Sequence, residues 1–119
     1  MSVQPPIIDF RTAVDGESSS PAPERLLQGK PRQTVWNHYA EPTAQFFSGI
    51  WESTPGKWRV RYSEHEFCHL LSGRLVIVAD DGAIYRYGPG DTFVVPAGFS
   101  GTWEVLETAR KLYCIYESK

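Results

Sequence analysis

Gly90-Asp91-Thr92-Phe93-Val94-Val95-Pro96-Ala97-Gly98 is the stretch whose reading decides the fold. Thr92 to Val95 has the composition of a short strand. Turn residues bracket it on both sides, Gly88-Pro89-Gly90-Asp91 before and Pro96-Ala97-Gly98 after. Upstream, the apolar runs Arg74 to Ala79 and Ala83 to Tyr87 flank Asp81-Gly82. That dipeptide tolerates positive φ and is a strong two-residue hairpin signal. Further upstream stands Glu66, separated from Gly73 by a second short run, Glu66 to Leu71.

The same texture extends outward from this centre. Further strands are expected at Thr34 to Ala40, Gln45 to Glu52, Lys57 to Tyr62, Gly101 to Glu107 and Lys111 to Tyr116, with a turn at Thr54-Pro55-Gly56. In Lys57 to Tyr62 the apolar Trp58, Val60 and Tyr62 alternate with the basic Lys57, Arg59 and Arg61, as in a half-buried antiparallel strand. No segment sustains a helical period; the best attempt, Pro23 to Gly29, is too short. Many short strands at close spacing predict an all-β sandwich or barrel.

Composition narrows the class. The chain has 119 residues, with 41% apolar and 22% charged residues and a net charge of -2. This is the balance of one globular domain, with no charge bias toward nucleic acid. No run approaches a membrane helix, and no secretory signal opens the chain. Two cysteines, Cys68 and Cys114, are too few for a disulfide scaffold or a zinc cluster, so a cytoplasmic protein with reduced thiols is expected. Residues 1–33 are rich in proline and serine and read as an N-terminal arm, residues 34–119 as the barrel. The arm is either poorly ordered or pinned along the domain or a partner by Ile7, Ile8 and Phe10.

The glycine, five residues, proline, one residue, glycine pattern of Gly90 to Gly98 resembles the second motif of the cupins. Glu66, six residues and Gly73 resemble the end of the first motif. Gly49-Ile50-Trp51-Glu52, Trp58 to Glu66 and Gly98 to Glu107 are similar to small cupins related to the ureidoglycine aminohydrolase cupin domain. The resemblance implies a double-stranded β-helix, a jelly-roll barrel with an interior pocket, to which the composition adds the extended N-terminal arm. It also implies a metal held by two histidines and a glutamate of the first motif and a histidine of the second. Here those histidine places fall on Val60 and Tyr62, or on Arg59 and Arg61, and on Gly101; only Glu66 remains. One carboxylate does not hold a transition metal tightly, so no metal cofactor is expected.

Other residues do not rebuild the set. His65 and His69 share a strand face about 13 Å apart at roughly 3.3 Å per residue, and that face is opposite Glu66. They and His38 read as surface or interface histidines. Glu64, Glu66 and Cys68 share the face that the resemblance turns inward, since the matching glutamate of metal-binding cupins points into the barrel, with the two carboxylates about 6.6 Å apart. Such a pair can straddle one ion, or divide into a neutral acid and a charged neighbour. Alternatively Glu64 is solvated and Glu66 pairs with Arg59, Arg61 or Arg86. Either way a buried Glu66 needs a partner or a raised pKa. Glu66, Glu64 and Tyr62 are the catalytic candidates. Trp51, Trp58, Cys68, Phe99 and Trp103 are the candidate ligand-binding wall, with Gly98 and Gly101 leaving room at the mouth. Cys68 has no histidine on its face to make a dyad, and Cys114, on the Leu112, Cys114, Tyr116 face, reads as a second buried thiol.

The expected function is binding of a small molecule in the barrel. One form is an enzyme acting on a ureide- or amide-like metabolite; the other is a non-catalytic ligand-binding or sensor module without metal. A homodimer is expected by analogy with cupins; nucleic acid and membrane partners are not.

Overall fold

Two long strands set the architecture of the computed structural model, which describes residues 3–119. Nine strands follow in chain order: β1 (Glu17–Ser19), β2 (Leu26–Gly29), β3 (Gln33–Ala40), β4 (Phe46–Ser53), β5 (Gly56–Arg61), β6 (His65–Ala79), β7 (Ile84–Tyr87), β8 (Thr92–Val95) and β9 (Ser100–Tyr116). β6 and β9 run antiparallel along most of their length, and their register slips between Leu70 and Leu75, opposite the Glu107 to Arg110 stretch. There the pair bends. The first half of β6 and the second half of β9 belong to the layer β1-β3-β4-β9-β6-β8. The remaining halves belong to the layer β2-β5-β9-β6-β7. The result is an all-β, strongly curled antiparallel barrel, as in the cupin jelly roll.

The sequence divides β6 into Glu66 to Leu71 and Arg74 to Ala79, and β9 into Gly101 to Glu107 and Lys111 to Tyr116. In the structure each pair is one strand, because the chain bends at the break without leaving the sheet. Gly73, with φ +87°, supplies the left-handed backbone that the bend in β6 needs. The Asp81-Gly82 hairpin joins β6 to β7, with Gly82 at φ +96° and the Ala83 N–H donating to Asp81 Oδ1 at 2.9 Å.

Between the layers pack Trp58, Cys68, Leu70, Leu75, Ile77, Val95, Trp103, Val105 and Ala109. β9 corrects one expectation. Its inward face carries Ala109, Lys111 and Tyr113, all buried, while Leu112 and Cys114 are half-buried and Tyr116 is exposed. Cys114 is therefore not a core thiol. The apolar row Leu112, Cys114, Tyr116 mimics an inward face, and the lysine at 111 disguises the true one.

The segment before residue 33 is partly built into the sheet. β1 pairs with β3, β2 pairs with β5, and Phe10 stacks on His38 with ring centroids 4.3 Å apart. No helix of the described residues is long and apolar enough to cross a membrane.

Candidate functional site

The inward faces of β4, β5, β6 and β9 converge on an ion pair. Glu66, second residue of β6, is paired in register with Val95 on one side and Ile115 on the other, so its side chain stands mid-layer. Lys111 lies on the inward face of β9, close by on the adjacent strand. Its Nζ sits 3.0 Å from Glu66 Oε2, and both residues are buried, at 3% and 6% exposure. Tyr62, just after β5, donates its hydroxyl to Glu66 Oε1 at 2.8 Å. The ammonium also lies 4.6 Å from the Trp51 ring centroid and 4.3 Å from that of Trp103. Burying a charge costs several kcal/mol unless it is paired and hydrogen-bonded. Here each charge meets its counter-ion, and the two indole faces add about 2 kcal/mol of desolvated cation–π attraction.

Burial pulls the Lys111 ammonium toward neutrality, but the Glu66 charge, the Cys68 sulfur and their hydrogen bonds outweigh it and raise its pKa. Tyr62 is held well above the usual phenol range, first by burial and then by the Glu66 carboxylate. Burial also raises Glu64. Cys68 is fully buried, 3.5 Å from Lys111 Nζ, and burial pushes its thiol up to about 12. A group whose folded pKa is raised contributes stability that is complete below its unfolded pKa and is lost as pH rises through the folded value. For Cys68 that loss starts near about pH 8.5, the unperturbed thiol value. Thermal unfolding midpoints should therefore fall above that pH, and Cys68→Ala should flatten the fall between about pH 8.5 and 10, where thiols titrate before phenols. A wild-type slope retained in the variant would show that Cys68 is not the source.

Above the pair opens a cavity of about 320 Å³. Trp51, Trp58, Tyr62, Glu64, Glu66 and Trp103 line it, together with Lys111. A smaller space of about 180 Å³, floored by Asn37 and Tyr113, meets it at Trp51, Glu66 and Ile115. Tyr113 donates to Asn37 Oδ1 at 2.6 Å. Among the described residues, Trp103 Nε1 is a buried side-chain nitrogen left without a hydrogen-bond partner.

Three expected members lie elsewhere. Phe99 lines a separate apolar groove with Tyr85, Tyr87 and Phe93, and meets the site at Tyr62, through an edge-on ring contact and the Tyr62 N–H donating to its carbonyl at 2.9 Å. Cys68 sits behind the ion pair, in the core rather than on the cavity wall. Gly101 is buried where β9 crosses β6, and a Cβ there would overlap the Val78 carbonyl oxygen. Its smallness serves that close approach, not a mouth, and no histidine fits. Gly98, with φ +93°, makes a turn. The arginine partners foreseen for Glu66 are also replaced: Arg59 pairs with Asp80 at 2.7 Å, and Lys111 takes their role.

The donor set does not fit the metal that the resemblance implies. A cation already occupies the space beside Glu66, and Tyr62 takes its other oxygen. No group of three His, Cys, Asp or Glu among the described residues is placed to hold a metal ion. His65 accepts from the Ala97 N–H and His69 bonds Thr92, both on the outer face.

Sequence reasoning missed Lys111. The one signal for it is a lysine inside an otherwise apolar strand, which reads as an outward residue unless a buried carboxylate is already assigned opposite.

Comparisons place this geometry among known proteins. The family model for the EutQ-like cupin domain matches residues 40–113. A structure of a DUF861-family protein of unknown function from Pseudomonas syringae superposes with a TM-score of 0.79 at 25% identity, over 91% of this chain and 46% of that one. The chain thus spans about half the length of that relative. The Clostridium difficile EutQ protein superposes with a TM-score of 0.65 at 19% identity, over 73% of this chain and 69% of that one. A DUF861-family protein from Thermotoga maritima gives 0.53 at 23% identity, over 83% and 97%. No curated protein matches significantly. With the curled barrel and the motif matched across most of it, the chain belongs to the EutQ-like cupin domain family.

Proposed function

We propose that the barrel binds a small polar molecule bearing an amide or ureido group, and that the buried Lys111–Glu66 pair recognises it. The observation that carries this reading is a donor and an acceptor 3.0 Å apart at the floor of an aromatic-walled cavity. A carboxylate has about four lone-pair sites and an ammonium three protons, so each keeps capacity after pairing with the other. An amide offers the complement: its N–H donates to Glu66 and its carbonyl oxygen accepts from Lys111. Trp51 and Trp58 give flat apolar walls for a planar group.

In the enzymatic form of this reading, the chain acts as a member of the ureidoglycine aminohydrolase-related group. Glu66 takes a proton from water as the water oxygen bonds the carbonyl carbon. Lys111 stabilises the oxyanion that forms, and the departing nitrogen leaves with the proton returned by Glu66. Tyr62 orients the carboxylate, and Glu64 stands nearby on the wall. The rival reading is a non-catalytic binding module. It is favoured by the engagement of both Glu66 oxygens, which holds the pair at rest.

Turnover assays on a panel of ureides and small amides, with Glu66→Gln beside the wild type, separate the two. Loss of a general base should lower kcat by about 10²–10⁴-fold. Binding without turnover supports the module. Neither binding nor turnover across the panel removes the amide reading altogether.

A further inference from the structure

The rim of the cavity carries a charge pattern that the pair at its floor does not explain. Arg25, Arg59 and Arg61 all line the cavity, in a chain whose net charge is -2. Arg59 is committed to Asp80. Among the described residues, Arg25 and Arg61 have no ion-pair partner. The opposing groups are Glu64 on the wall and Glu24 on the outer side of the rim. At the floor, Lys111 and Glu66 neutralise each other.

Arg25 reaches this place through a defined piece of backbone. Its N–H donates to the Ala22 carbonyl at 2.9 Å, and its own carbonyl accepts from the Arg59 N–H at 2.9 Å. β2 follows at once and pairs with β5, while the β2–β5 ladder does not extend to Arg61. Two arginines from segments 36 positions apart in the chain thereby line one cavity, with no carboxylate spent on either. A guanidinium presents a planar fork of donors that matches a carboxylate, which a lysine does not.

We infer that the cavity mouth is an anion subsite, in which Arg25 of the N-terminal segment and Arg61 of β5 hold the carboxylate of a small organic acid whose remainder enters the barrel. This rests on the reading that the cavity is the ligand site, and it adds the charge of the ligand to that reading. It also gives the segment before the barrel a part in recognition, since Arg25 belongs to it.

The test uses four probes that separate charge from the amide function: N-carbamoylglycine, its neutral amide N-carbamoylglycinamide, butyrate and butanol. Binding is read by tryptophan fluorescence at low salt, because Trp51, Trp58 and Trp103 line the cavity. Each acid is expected to bind about tenfold more tightly than its neutral counterpart, a preference that weakens as salt screens the exposed arginines. In the Arg25→Gln/Arg61→Gln double variant the ratio should fall below about twofold, the level left when a charge-assisted contact is gone. Lys57→Gln removes a charge from the same strand at a residue that does not line the cavity and should keep the preference. Acids no tighter than their neutral counterparts, including binding by none of the four, overturn the inference. So does a preference that survives in the double variant. If both acids bind alike and both exceed the neutral probes, the anion subsite stands and the amide reading of the floor fails.

Discussion

Replacing Lys111 by methionine should destabilise the fold by about 3–5 kcal/mol, the range for removing one partner of a buried ion pair. Methionine fills much the same volume, so the loss is electrostatic rather than a cavity effect. Without the ammonium, Glu66 remains buried with only the Tyr62 hydroxyl donating to it. A buried carboxylate that has lost its counter-ion keeps its desolvation cost with too little to offset it. Adding Glu66→Gln to the Lys111→Met background removes the stranded charge and should recover a large part of the loss. Urea midpoints for the wild type, both single variants and the double variant form the cycle. Residues in direct contact typically couple by about 0.5–3 kcal/mol. Additive single effects, each under about 1 kcal/mol, would mean that the pair behaves like a surface salt bridge and that the site is far wetter than its burial indicates.

That result bears on how much of the site is legible in the sequence. The barrel follows from local chemistry: the Asp81-Gly82 turn, the bracketed run Thr92 to Val95, and the Glu66 to Gly73 spacing each act through a few neighbouring residues. Alternation gives the residues that share a face with Glu66, the cupin resemblance turns that face inward, and the need for a partner follows from the cost of burying a charge. The partner's identity does not follow, because β6 and β9 meet across 45 positions of chain and alternation has no information about register between distant strands. Lys111 is hidden for a second reason. The face of β9 opposite to it, Leu112, Cys114 and Tyr116, is the more apolar of the two, and hydrophobicity alone chooses the wrong side. Cys68 and Phe99 mark the same limit from the other direction. Sharing a face with Glu66 brings Cys68 next to the pair but behind the wall, and Phe99 turns onto a different groove. The segment before residue 33 carries too few apolar residues to announce strands. Its β1 and β2 are three and four residues long and are held by the edges they join.

Gly73 is where the two long strands bend together, and Gly73→Ala should cost more than any other glycine-to-alanine change in a turn of this chain. Two effects add there. The backbone sits at φ +87°, which costs a residue with a Cβ about 1–2 kcal/mol. A Cβ would also overlap the Thr108 carbonyl oxygen and lie 2.5 Å from Ala109 Cα, so β9 must move away from β6. Overpacking of this kind typically adds about 1–3 kcal/mol, and backbone yields less readily than a side chain. Gly98 is the matched control. Its φ is +93°, yet a Cβ there meets nothing within 4 Å, so Gly98→Ala carries the conformational cost alone. The difference between the two variants in urea denaturation isolates the steric part, about 1–3 kcal/mol. It has a local consequence as well. The bend holds Leu70 and Leu75 in register with β9, and Lys111 pairs with Leu70 in that same ladder. Forcing β9 outward at Ala109 therefore displaces Lys111 two residues away, and the tryptophan emission of Trp51 and Trp103, whose rings face that ammonium, should shift in Gly73→Ala and not in Gly98→Ala. Equal stability losses and unchanged emission in both variants would place the bend elsewhere and leave Gly73 as an ordinary turn residue.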